Sequence, residues 1–286
     1  MMTRLTSHDI ENVWDGADLD RRLAGMTGRG VRGIALEAAG LPTDMDLSGF
    51  SVVCVPVTSG LGEIGGFADS LDAIARHIGM RSHVSVSPDV AGFAEAVSSG
   101  ADIVLMADDN RFVAYNTVTN TVADNAYCTA LGYAVALRDA AGGLAGRRVL
   151  VMGAGFVGSE AVRILRGMNA LVTVVDIDVP KARRLALSER VQWEEDVSGA
   201  VSHHDLILNA SPGTVPGRDM MPGTVVSSPG VPCRFDEEAR RRARAIIHDP
   251  LEIGTAVMLT TAAAETVRRT GRVNVPAHGM EAALGQ

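Results

Sequence analysis

RVLVMGAGFVGSEAVRILRGMNALVTVVD, residues 148–176, decides the fold. Its first five residues are rich in β-branched valine and read as a buried strand. GAGFVG follows at 153–158, then an amphipathic helix over 156–168, then a second strand, LVTVVD, ending in Asp176. Each glycine has a separate task. Gly153 permits the tight turn, Gly155 lets the backbone approach a pyrophosphate, and Gly158 lets helix and strand pack closely. Phe156 and Val157 start the helix, whose unpaired N–H groups and dipole attract phosphate. Asp176 stands about 20 residues on, the usual distance for an acid that grips a ribose 2′-hydroxyl. The order strand, glycine turn, helix, strand, acid makes this a dinucleotide-binding unit. A carboxylate at 176 would repel a 2′-phosphate, so NAD is expected rather than NADP. Arg183 and Arg184, close by, read as a solvated helix face.

Downstream, DLILNA (205–210), TVVSS (224–228) and AIIH (245–248) read as further strands, and a helix over 253–270 closes the series. Residues 143–286 are therefore expected to form a Rossmann-type, doubly wound parallel sheet with a C-terminal helix and tail. The loops NASPGTVPG (209–217) and SSPGVPC (227–233) follow strands. In such a sheet, loops at strand carboxyl ends meet the ligand crevice, which would put Ser211, Pro212 and Pro229 beside the nicotinamide. Plain turn chemistry explains Pro-Gly pairs equally well.

Upstream, residues 50–142 read as a smaller central α/β unit. SVVCVPV (51–57), HVSV (83–86) and DIVLMA (102–107) are strands. Ile64, Phe67, Leu71, Ile74 and Ile78 recur at spacings of three and four, one face of a helix, and 90–97 is another. The β-α-β-α-β order implies a parallel sheet covered by helices. A long helix over 127–141 connects the two units. Residues 1–49 form an N-terminal helical segment, with Thr6 and Asp9 resembling a capping box. Two polar clusters follow strands: Thr58, Ser59 and Gly60, then Asp108, Asp109 and Asn110. If those strands are parallel neighbours, hydroxyls and carboxylates share one edge, which suits a cationic amine. A lone Asp pair in a loop also serves as a turn or cap.

Composition narrows the classes. The chain has 286 residues, 47% hydrophobic and 21% charged, enough to bury a full core and unlike a disordered chain. Aromatics are 4%, and 26 basic residues against 34 acidic give a net charge of −8, which disfavours nucleic acid as a partner. Cys54, Cys128 and Cys233 lie far apart without CxxC spacing, so free thiols in a reducing compartment are expected. No metal-ligand spacing, nucleophile elbow, secretory pattern or membrane-length apolar run appears, and a cytoplasmic protein is the expectation.

The runs VPVTSGLGEIGGFADSLDAIA, PDVAGFAEAV, LMADDNRFVAYN, GAGFVG and SSPGVPC together resemble the PylD family of pyrrolysine synthases, over about residues 50–260. The resemblance implies the same three-part architecture and a homodimer. It implies a dipeptide-like substrate, lysine acylated on its side-chain amine by 3-methyl-D-ornithine. Its terminal amine carbon is oxidised by NAD, ammonia leaves, and the aldehyde closes on the ornithine α-amine with loss of water. Ser59, Asp108 and Asn125 match substrate-pocket positions of that family. In HDPLEIGTA, Asp249 stands where the family is expected to carry Glu, and Glu252 where it carries a small residue.

Amine oxidation requires a neutral amine as the electron pair departs, so a nearby carboxylate must hold the ammonium and take its proton. Asp108 is the candidate, with an ordered water as rival. A shikimate- or methylene-tetrahydrofolate-type dehydrogenase needs a lysine at the substrate, and the single lysine, Lys181, lies in the helix after Asp176. A dehydrogenase of another small amino acid or imine, or an NAD-binding regulatory module without turnover, stands as the alternative.

Overall fold

The computed structural model describes residues 16–62 and 64–272. The Thr6–Asp9 capping box and the tail beyond residue 272 lie outside the described residues. Helices α1 (Gly16–Thr27) and α2 (Val31–Ala39) lead in, burying Leu19, Leu23, Ile34 and Leu36. Gly40, at φ 67°, ends α2 in the left-handed conformation that a β-carbon disfavours.

The first sheet contains β1 (Ser51–Val55), β2 (Arg81–Val84), β3 (Ile103–Ala107), β4 (Phe112–Asn116) and β5 (Thr121–Asp124), in the order β2-β1-β3-β4-β5. β1 pairs parallel with β2 and β3, joined through α3 (Phe67–His77) and α4 (Asp89–Ser98). β4 and β5 continue the sheet as an antiparallel hairpin, so it is mixed rather than purely parallel. FVAYN alternates buried and half-buried residues, the period of a strand with one covered face. Two such short strands joined by a polar turn give a weak signal beside the five-residue valine runs.

Helix α5 (Asn125–Ala141), capped where the Asp124 carboxylate accepts the Ala126 N–H at 2.9 Å, carries the chain into the second unit. There β6 (Arg148–Met152), α6 (Phe156–Gly167), β7 (Leu171–Val175), α7 (Val179–Glu189), β8 (Gln192–Glu194), α8 (Val197–Ser202) and β9 (Leu206–Asn209) follow in sequence. A short pair, β10 (Gly213–Val215) with β12 (Cys233–Phe235), brackets β11 (Val225–Ser227), and α9 (Glu237–Arg242) precedes β13 (Ala245–Ile247). The six main strands run parallel in the order β13-β11-β9-β6-β7-β8. The chain reverses its direction of winding between β6 and β9, and a ligand crevice opens at that point in sheets of this kind.

Helix α10 (Glu252–Thr270) follows the second unit in the chain and packs on the first in space. Its Ala262 carbonyl and Thr266 hydroxyl accept the Asn116 amide of β4 at 2.7 and 2.8 Å, and its Thr260 hydroxyl donates to Ala35 of α2 at 2.9 Å. Ile253, Ala256, Val257, Leu259 and Ala263 are buried there. Each large apolar side chain so buried contributes roughly 1.5–3 kcal/mol. Helices α5 and α10 pack on each other. Among the described residues no helix is long and apolar enough to cross a membrane.

Candidate active site between the two sheets

The glycine turn has the shape its sequence requires. Gly153 has φ 95°, and a β-carbon there would press on Ala210 at 3.0 Å. A β-carbon on Gly158 would collide with the Gly153 carbonyl, which is how α6 comes so close to β6. Above Gly155 nothing lies within 4 Å, so the open face of the turn leads onto the N-terminus of α6, where Phe156 and Val157 start the helix. Asp176, just past β7, accepts the Ala154 N–H at 2.7 Å through Oδ2 and the Asp178 N–H at 2.9 Å through Oδ1. Its carboxylate is thereby fixed beside the turn. The open turn, the helix start and the acid past β7 are residues of the kind that fit a dinucleotide. Arg183 lies 5.8 Å over the Trp193 ring.

A cleft of about 210 Å³ opens between the units at strand carboxyl ends. Val55 and Pro56 after β1, Ala107, Asp108 and Asp109 after β3, Ala210 and Pro212 after β9, Pro229 and Gly230 after β11, and Asp249 and Pro250 after β13 all line it. Asn125, Thr129 and Tyr133 of α5 and Leu251 and Gly254 near the start of α10 close the back. Phe67 and Phe112 meet edge to face at 5.7 Å on the apolar side. The structure thus brings Ser59, Asp108, Asn125, Asp249, Val157, Pro212 and Pro229 to one cavity.

Two expected residues are not among that lining. Thr58 is absent from the lining because its hydroxyl donates to Asp89 at 2.5 Å and its N–H to the same carboxylate at 2.8 Å. The Thr58 hydroxyl, with backbone N–H groups, holds Asp89 below the usual carboxylate range. Ser211, between the lining residues Ala210 and Pro212, donates its hydroxyl to the Asn209 side chain at 2.7 Å.

The remaining polar groups differ in how they are held. Asp108 accepts the Asn110 and Arg111 N–H groups at 2.8 and 2.7 Å through Oδ1, closing the β3–β4 turn, while Oδ2 takes no part in it. Asp109 accepts the Leu61 N–H at 2.8 Å, tying the glycine-rich loop after β1 to the same turn. The Thr129 hydroxyl donates to the Asn125 side-chain oxygen at 2.9 Å, which leaves the Asn125 amide nitrogen outside that bond. Asp249 is 5% exposed and receives the Tyr133 hydroxyl at 2.8 Å. Burial, then the Asp249 charge, drives the Tyr133 hydroxyl well above its ordinary range.

Sequence reasoning missed Tyr133 and the deeper role of Glu252. An aromatic in a helix reads as core, and only the fold brings Tyr133 to Asp249. The charged residues of the lining, among the described residues, are Asp108, Asp109 and Asp249; none is Lys, Arg or His. Arg111, next in sequence to this acidic turn, pairs instead with Asp124 at 3.0 Å.

Comparison with known proteins agrees with this fold. Residues 10–123 match the family model described as pyrrolysine biosynthesis protein PylD, N-terminal domain, and residues 122–231 the alanine dehydrogenase/PNT C-terminal domain. Pyrrolysine synthases of Methanosarcina acetivorans and Methanosarcina barkeri are each 34% identical, over 267 and 263 residues. The alignments cover 90% of this chain and 98% and 97% of theirs. Among solved structures, shikimate 5-dehydrogenase of Thermus thermophilus, in complex with NADP(H) and shikimate, superposes with a TM-score of 0.50 at 17% identity, over 79% of this chain and 95% of that one. Quinate dehydrogenase of Corynebacterium glutamicum, in complex with NAD, gives 0.52 at 13%, over 78% and 94%. These last two share the fold.

Proposed function

This chain belongs to the pyrrolysine synthase (PylD) family of oxidoreductases, and on that premise we propose that it oxidises the terminal amine of lysine-Nε-3-methyl-D-ornithine with NAD. Oxidation gives the imine, water hydrolyses it with release of ammonia, and the aldehyde condenses with the ornithine α-amine, losing water to close the ring. The observation that carries this reading is the charge of the cleft: three carboxylates and no basic side chain among its described lining residues. A cationic substrate meets its counter-charges there, and a substrate recognised by its carboxylate does not.

NAD, when bound, supplies the two-electron acceptor. Gly155 and the first turn of α6 hold its pyrophosphate, and Asp176 the adenine ribose. The protein's own groups then act on the amine. Asp108, Ser59 and Asn125 hold it, and Asp108 takes the proton that must leave before the carbon is oxidised. The apolar wall of Val55, Phe67 and Phe112 packs the methylene chain and keeps bulk water from the carbon. The family's working form, a cytoplasmic homodimer, is expected here too.

The test is incubation of the purified protein with the dipeptide and NAD. NADH absorbance should grow and one ammonia should appear per turnover. Reduction of NAD by alanine or shikimate, with none by the dipeptide, would overturn the reading.

A further inference from the structure

Glu252 opens α10 and is 7% exposed, yet its Oε2 has no hydrogen-bond partner. Thr255, three residues along and so on the same side of that first turn, has an orphaned hydroxyl as well. Buried polar atoms are nearly always paired, so two orphans in one turn call for an account.

The Glu252 carboxyl stands against Asp249, which lines the cleft. Asp249 is fully engaged. Its Oδ1 accepts the Leu251 and Ile253 N–H groups, each at 3.1 Å, and its Oδ2 accepts the Tyr133 hydroxyl. Two backbone donors at the start of α10 are thus aimed at the Asp249 carboxyl. The Glu252 carboxyl is reached only by its own N–H and by that of Leu251, which Asp249 already engages, and burial outweighs both. Burial first, then the charge of Asp249 and a hydrogen bond with it, push the Glu252 carboxyl up to about 9. The titratable groups that face it are Asp249 from the preceding loop and Tyr133 from α5; α2 and α3, also packed on α10, bring no charge that acts on it. His248, next to Asp249, gives its Nδ1 to the Ser228 carbonyl at 2.7 Å. No cation therefore balances a second negative charge while the cleft is empty.

We propose that Asp249 and Glu252 share one proton in the empty cleft, and that a cationic amine bound beside Asp249 displaces it. Glu252 then loses its proton to solvent, the ammonium supplies the compensating charge, and no electrons move. The wall meets an ammonium with two carboxylates and any uncharged ligand with one. Glu252 acts through Asp249 and is a positioning residue for the amine, one that makes the site select charge. The inference rests on the amine-oxidising reading above.

The test is calorimetric titration of the dipeptide into protein saturated with NADH, so that no turnover occurs, at pH 7.5 in phosphate and in Tris. The two buffers differ in ionisation enthalpy, and the difference in heat counts protons. Wild type should release close to one proton per amine bound, while Glu252→Gln, which copies the protonated form at equal size, should release close to none. The KM for the dipeptide should also fall as pH rises from 7 toward 9 in wild type and stay level in the variant. Binding to wild type without proton release, or equal release by the variant, overturns this inference and leaves the amine reading standing. Failure of the dipeptide to bind wild type at all brings down both.

Discussion

The Tyr133 hydroxyl donates to the Asp249 carboxylate at 2.8 Å and accepts the Asp249 backbone N–H at 3.0 Å, joining residues 116 positions apart. It also lies 2.6 Å from the Asp249 carbonyl oxygen. One buried hydroxyl thus orients the acid at the carboxyl end of the sheet and ties α5 to the start of α10. Tyr133→Phe keeps the ring packing and removes this grip. The expected loss is about 1–3 kcal/mol of stability, the cost of leaving buried polar groups unpaired. Urea unfolding of the two proteins measures it, and the KM for the amine should rise with it.

Asp176 fixes both the turn and the cofactor preference. In Asp176→Ala the Ala154 N–H loses its acceptor and the 2′-phosphate loses its repulsion. NAD affinity should fall about tenfold or more, while NADP affinity should hold or rise. Fluorescence titration with NADH and NADPH checks the two affinities side by side.

Gly158 is where α6 meets β6. A β-carbon in Gly158→Ala strikes the Gly153 carbonyl, so the helix must move off the strand. Overpacking of this kind costs roughly 1–3 kcal/mol and opens the pyrophosphate cradle. The variant should be folded, with a lower Tm and little NAD binding, as differential scanning fluorimetry with and without NAD will show.

Asp108 keeps Oδ1 in the β3–β4 turn while presenting a carboxylate to the cleft. Asp108→Asn can keep the turn through its amide oxygen and loses only charge and basicity. Turnover should fall about 10²-fold or more with NAD affinity unchanged. Near-normal turnover would make Asp108 a turn residue alone.

The buried acid pair sets a pH dependence of stability. Glu252 in the folded chain holds its proton up to about 9, whereas an ordinary glutamate ionises near 4.5. Between those values the folded state binds more protons than the unfolded state, so this group's contribution falls as pH rises through the window. It is complete below the lower value and lost above the upper one. Glu252→Gln should flatten that slope and be the more stable protein at pH 8–9, by on the order of a few kcal/mol. Tm measured from pH 5 to 9 decides it. Asp89, held below the ordinary range by the Thr58 hydroxyl, acts in the opposite sense and only in acid.

The amino-acid sequence alone determined the glycine turn of the second unit with its flanking strands and helix, because what builds them is local, whereas the short β8, β10 and β12 and helices α8 and α9 carried no such signal. Valine runs make strands, GAGFVG requires the turn, and an acid at the right remove follows the next strand, so residues 148–176 announce their own structure. The two polar clusters after β1 and β3 were readable for the same reason: a residue just past a buried strand must lie at that strand's carboxyl end. Tertiary structure decided the rest. The β4–β5 hairpin extends the first sheet because its buried face needs α10, a helix more than 125 residues further along the chain. Thr58 and Ser211 sit in the expected loops, and only the fold brings their hydroxyls to the Asp89 and Asn209 side chains. Tyr133 becomes part of the cleft only when α5 and the loop after β13 meet. Glu252 keeps its proton only because packing removes it from water and sets it against Asp249. Periodicity and spacing record what a segment does by itself, whereas a hydrogen-bond partner or a shifted proton belongs to groups that only folding brings together.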